Sequence, residues 1–187
     1  MFPPLVLKTV RWRPLEGEGL EHLTVRAVDG GLRAESTVIG DHGNRPFGVR
    51  YRIDLDTAWR VRAFFVEDMA GRRIAMTSDG EGRWSGEDGK PLPAFDGCMD
   101  IDLAGSPFTN TLPIRRLGLS VEQGKTTLAM VYVPFDTFMP FVDGQHYTCL
   151  APASRYLYEA ADRTFSAELP VDADGFVTDY PTLFTRL

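Results

Sequence analysis

Cysteine and histidine are scarce in this sequence and long apolar runs are missing, and each shortage removes a class of function. Only Cys98 and Cys149 carry thiols, far apart in the chain. No CxxC pair and no Cys/His cluster is present, so the ligand spacings of a zinc site are lacking. Two distant cysteines read as buried, reduced thiols, and 187 residues can bury a core without disulfide or metal staples. The three histidines, His22, His42 and His146, fall in loop-like or strand-edge surroundings, and no G-x-S-x-G elbow, P-loop or dinucleotide glycine fingerprint accompanies them. His146 stands out by its apolar, aromatic neighbourhood beside Tyr147, yet reads as a partly exposed strand residue. No motif calls for a cofactor, and none is expected. No apolar stretch approaches the roughly 18 residues of a spanning helix. The opening MFPPLVLKTVRWRP lacks a basic segment, a sustained apolar stretch and a small-residue cleavage site. The expectation is a cytoplasmic protein with no transmembrane segment.

What the sequence does hold is β-forming bulk with frequent punctuation. Phe numbers 12, Gly 18 and Pro 13, a mixture that favours short strands joined by turns. The formal charge is −6, which opposes general nucleic-acid binding because phosphate neutralisation by Lys and Arg supplies most of that affinity. The arginine pairs 11/13, 60/62, 72/73 and 115/116 read mainly as solvated edges.

Alternation with a period of two is the clearest local signal. Phe47, Val49, Tyr51, Ile53 and Leu55 share one face of a strand, with Arg50, Arg52 and Asp54 between them. Trp59, Val61, Ala63 and Phe65 are expected to continue the pattern after a turn at Asp56-Thr57-Ala58. Leu23–Val28 and Leu32–Ile39 read as a hairpin joined at Asp29-Gly30-Gly31. Shorter strands are expected at Ile74–Met76, Met99–Leu103, Leu128–Val133, Tyr156–Tyr158, Phe165–Leu169 and Phe176–Val177. Short helices are expected at Thr109–Leu117 and Ala151–Tyr158. No repeat or linker divides the chain, so residues 1–187 are read as one domain. The fold class is all-β, mainly antiparallel, a curved β-roll or barrel-like sheet with one or two short helices.

Two patterns could carry chemistry. Asp54 with Asp56, and Asp100 with Asp102, each place carboxylates about 6.6–6.8 Å apart along a strand, a spacing usable for acid and base in glycoside chemistry. The first pair reads as solvent-facing. The second precedes Ser106–Leu117, which mixes hydroxyls, an amide and two arginines with Phe108, Leu112 and Ile114. Arg115 or Arg116 could pair with Asp100 or Asp102 structurally, or the cluster could face a ligand. Large rings with polar tips, Trp59, Trp84 and Tyr147 among them, suit a pocket for sugars or lipids.

The run Asp100-x-Asp102 followed by Ser-Pro-Phe-Thr-Asn-Thr-Leu-Pro-Ile-Arg-Arg-Leu at 106–117 resembles the signature of the bacterial Putative glycolipid-binding family. Further landmarks follow in order: Trp12, then Tyr51-x-Ile53-x-Leu55-Asp56-x-x-Trp59, then Asp79-Gly80-x-Gly82-x-Trp84. Gln145-x-Tyr147-Thr148 and Val171-Asp172-x-Asp174-Gly175-x-Val177-x-Asp179-Tyr180-Pro181 complete the likeness. The resemblance implies a β-roll similar in outline to periplasmic lipoprotein carriers, with an apolar cavity for a glycolipid and no catalytic residues to carry over. The expectation is a non-catalytic protein enclosing a hydrophobic small molecule or glycolipid, with Trp59, Trp84, Asp100, Asp102, Asn110, Arg115 and Tyr147 as ligand-binding candidates. The alternative is an enzyme acting on a sugar- or lipid-derived substrate through Asp100 and Asp102.

Overall fold

The computed structural model describes residues 2–42 and 45–187, apart from the side chain of His42. Nine strands form one antiparallel sheet. In chain order these are β1 (Leu7–Pro14), β2 (Gly19–Val28), β3 (Gly31–His42), β4 (Arg45–Asp56), β5 (Val61–Asp68), β6 (Arg73–Ser78) and β7 (Trp84–Gly86), paired each to the next. Two C-terminal strands, β13 (Asp179–Tyr180) and β14 (Phe184–Arg186), join this meander beside β1. The second sheet holds β8 (Asp100–Leu103), β9 (Thr126–Val133), β10 (Phe141–Ala151), β11 (Arg155–Ala160) and β12 (Ser166–Pro170). Its order is β12-β11-β10-β9-β8, with β8 and β9 parallel. The architecture is all-β, mostly antiparallel and curled, with one short α-helix, α1 (Thr111–Leu117).

The alternation in β4 is realised from Val49 to Leu55, with Phe47 half-buried at its start. Val49, Tyr51, Ile53 and Leu55 are buried while Arg50 is exposed and Arg52 and Asp54 are half-buried. The β2–β3 hairpin also forms as expected, Val28 pairing with Gly31 across Asp29-Gly30. Gly31 is obligatory there, because a Cβ would lie 1.9 Å from the Leu55 carbonyl oxygen.

Three expectations need correction. Leu55 pairs with Val61 but Asp54 with Ala63, so a bulge at Arg62 reverses the facing of β5. Phe64 and Val66 are buried, and Phe65 lies outside beneath the guanidinium groups of Arg50 and Arg73 at 5.6 and 4.8 Å. Residues 151–158 are the end of β10, a turn and the start of β11 rather than a helix. Pro152 can give no ladder hydrogen bond, and Ala153 has a φ of 53°, so the chain reverses there. Phe176 and Val177 are buried in a loop held by one bridge, Val171 to Val177, rather than in a strand.

The segment Ser106–Ile114 is buried throughout and touches both sheets. It runs through a 3₁₀ turn at Pro107–Asn110 into α1. Pro113 is tolerated because the first-turn N–H groups of a helix have no intrahelical partner to lose. Phe108 stacks on Phe176 at 5.7 Å, and Leu112 joins the core of the larger sheet while Ile114 joins that of the smaller. The segment therefore fills the space between the sheets. Hollows remain at the two ends of the larger sheet.

Candidate functional site

The first cleft lies where β2 begins, β3 ends and β4 begins, and encloses ≈ 790 Å³. Leu20, Val38, Phe47, Phe135 and Phe184 give it apolar walls, with the Phe47 and Phe135 rings 5.9 Å apart. Arg45, Arg72, Asp41 and Asp136 also line it. Arg72 is held by Asp68, by the Asp136 carbonyl at 2.6 Å and by stacking on Phe138 at 4.5 Å.

Glu21 lines this cleft while only 2% exposed. Its Oε1 accepts three hydroxyl hydrogen bonds, from Tyr51 at 2.6 Å, Ser36 at 2.9 Å and Ser106 at 2.9 Å, while Oε2 has no partner. No cation among the described residues compensates it. Burial pushes the carboxyl up to about 7, against the pull of the three hydroxyl bonds. The Tyr51 phenol is pushed well above 10 by burial and by the Glu21 charge. With donors converging on Oε1, the proton of the neutral acid belongs on Oε2, a buried donor without a partner among the described residues. Sequence reading passed over Glu21. One signal was present: Glu21 shares the period-two phase of Leu23 and Val25, the buried face of β2.

The second cleft, ≈ 870 Å³, lies at the opposite ends of the same strands, where β1 begins, β2 ends and β4 turns into β5. Trp59 and Arg115 line it, the guanidinium 4.2 Å from the indole centre. Trp59 occupies a turn in which Asp56 Oδ1 accepts the N–H groups of Ala58 and Arg60, both at 2.9 Å. Asp68, Asp79 and Asp172 make the same two bonds in their own turns. The fourth residue of those turns is Gly71, Gly82 or Gly175, each at a φ between 82° and 87°. Trp59 takes that position with a φ of 64°, a left-handed conformation costing an L-residue about 1–2 kcal/mol. Burial lowers the hold of Arg115 on its proton, with Asp174 and Asp172 opposing.

The other candidates lie apart from both clefts. Asp100, 1% exposed, takes two bonds from Arg116 Nε, at 3.1 and 3.2 Å, and a third from Nη2, the structural pairing. Burial pushes the Asp100 carboxyl up against that pull. Asp102 accepts from Thr109 Oγ1 and Gln145 Nε2, both at 2.7 Å, and burial followed by the Asp143 charge pushes it up too. Tyr147 donates to Asn110 Oδ1 at 2.8 Å, so Asn110, Tyr147 and Asp102 belong to one buried network around Gln145. Trp84 is in the core, its Nε1 donating to the Cys98 carbonyl at 2.8 Å. His22 and His146 each bond one neighbour on an adjacent strand, Arg11 and Thr127 respectively. The side chain of His42 lies outside the described residues.

The sequence profile described as Putative glycolipid-binding matches residues 9–186. Among solved structures, a DUF1089 family protein from Pseudomonas aeruginosa is 39% identical, with a TM-score of 0.79, covering 100% of this chain and 95% of that one. No curated protein matches. A profile that spans nearly the whole chain, with a solved relative at that identity, places the protein: it belongs to the Putative glycolipid-binding family.

Proposed function

We propose that the chain acts as one domain and as a non-catalytic binding protein of the cytoplasm. Its ligand is a lipid or glycolipid held in the cleft at Glu21. The observation that carries this reading is the pairing of apolar walls with a buried acid whose Oε2 has no partner. Burial of a ligand chain against those walls supplies about 25 cal/mol per Å² removed from water. A protonated carboxyl then offers a neutral donor to a hydroxyl or ether oxygen, which suits an uncharged, sugar-like head group. The family description supports the same ligand class.

Native mass spectrometry of the protein purified from its own host tests this directly. The expected result is a retained amphiphile that collisional activation releases and that Leu20→Trp, which fills the cleft, excludes. An adduct unaffected by Leu20→Trp, or no adduct together with no binding of added alkyl glycosides, overturns the reading.

A further inference from the structure

The cleft at the Arg115 end is arranged round a cation that no carboxylate among the described residues touches. Its neighbours are all compensated: Arg116 by Asp100, Lys8 by Asp172 and Asp174 at 3.0 and 2.6 Å, and Arg186 by Asp172. Arg115 instead donates Nη1 to the Asp174 carbonyl and Nη2 to the Pro3 carbonyl, both neutral acceptors, and its Nε has no partner. A guanidinium carries five N–H donors, so most of this one's capacity is unspent. The Trp59 and Phe2 rings flank it at 4.2 and 5.4 Å. Trp59 does so from a backbone position that three sister turns give to glycine, and the indole's other ring contact is Phe176 at 6.4 Å. Retaining a strained tryptophan to hold an arginine at a cleft is the pattern of a site rather than of a turn.

We propose that this second cleft binds a long-chain carboxylate, with the head group on the remaining Nη N–H groups of Arg115 and the chain along Leu5, Leu32 and Leu119. One positive charge without a carboxylate in contact matches a monoanion. A phosphate monoester, near −2 at neutral pH, would bring a charge that Arg116 and Lys8 are already committed against. The volume of ≈ 870 Å³ lies within the range of small-molecule pockets. The proposal stands independently of the reading of the Glu21 cleft, at the other end of the strands.

Isothermal titration of the full chain with sodium dodecanoate, dodecanol, dodecyl phosphate and inorganic phosphate tests it. Saturable one-site binding of dodecanoate is expected, at least tenfold tighter than dodecanol and tighter than dodecyl phosphate, with inorganic phosphate not binding. Arg115→Met should weaken dodecanoate at least tenfold and Trp59→Gly about fivefold, while Leu20→Trp in the other cleft leaves it unchanged. Should Arg115→Met not fold, the dodecanoate-to-dodecanol ratio of the unaltered protein decides alone. Equal binding of dodecanol and dodecanoate, tighter binding of dodecyl phosphate, no dodecanoate binding, or loss through Leu20→Trp each overturns the proposal.

Discussion

At opposite ends of one sheet the chain presents two clefts of similar size, each with an incompletely compensated polar group in its wall. At one end the group is an acid, at the other an arginine, and the structure treats them differently. Glu21 is surrounded by neutral hydroxyls, and burial pushes its carboxyl up to about 7, so the cost of burying the charge is relieved by taking up a proton as the pH falls below that value. Arginine cannot shed its charge under any ordinary condition, so Arg115 is stacked against rings, tethered to carbonyls and left half-open. The contrast teaches that two apolar clefts of one protein can carry polar groups of opposite kind, a buried acid at one end and a ring-stacked cation at the other.

Removing compensation at the arginine end should have the largest effect on stability. Asp100→Asn leaves Arg116 buried without its carboxylate and should cost about 3–5 kcal/mol in urea unfolding. Asp102→Asn strands no cation, since its donors are Thr109 and Gln145, and should cost about 1 kcal/mol. Equal costs would break the distinction between charged and neutral compensation.

The acid end predicts a pH dependence of definite sign. Glu21 titrates near 7 in the fold against an ordinary value of 4.5, so between these pH values the folded chain keeps a proton that the unfolded chain gives up. This group's contribution is therefore most favourable below about 4.5 and declines as the pH rises to about 7, by about 3 kcal/mol in all. Glu21→Gln, which mimics the neutral acid, should lack that decline. Parallel stability curves for the two proteins from pH 4 to 8 would contradict the assignment.

Smaller effects separate Trp59 from its glycine counterparts. Trp59→Gly relieves the left-handed strain but forfeits a buried ring, for a net loss of about 2–3 kcal/mol in thermal unfolding. Gly71→Ala has open space for its methyl group and should lose only about 1 kcal/mol, the cost of the backbone conformation alone.

Much of the larger sheet was legible because half-buried antiparallel strands write their facing into every second residue, as Val49, Tyr51, Ile53 and Leu55 do. The facing of β5 was not, since the bulge at Arg62 inserts one residue and alternation carries no mark of where pairing slips. Residues 151–158 misread as a helix because their apolar spacing fits either period over so short a run. Ser106–Leu117 stood out by its mixture of polar groups and apolar anchors, but its place between the sheets depends on long-range partners, Glu21 and Tyr51 on one side and Tyr147 on the other. Of the expected site residues, Trp59 and Arg115 line a cleft together, whereas Asp100 and Asp102 face protein partners. Glu21 was hidden by the ordinary reading of a glutamate between Leu20 and His22 as solvent-facing. Its membership of the buried phase of β2 carries more information than its charge.

Titration of the chain with dodecyl maltoside below its micelle concentration, at pH 6 and pH 8, tests the central claim most directly. Saturable one-site binding is predicted, weakened at least tenfold by Leu20→Trp and unchanged by Arg115→Met. The unaltered protein should bind more weakly at pH 8, where Glu21 loses the proton it donates, and Glu21→Gln should bind equally at both. An affinity indifferent to Leu20→Trp, or one abolished by Arg115→Met alone, would contradict the account.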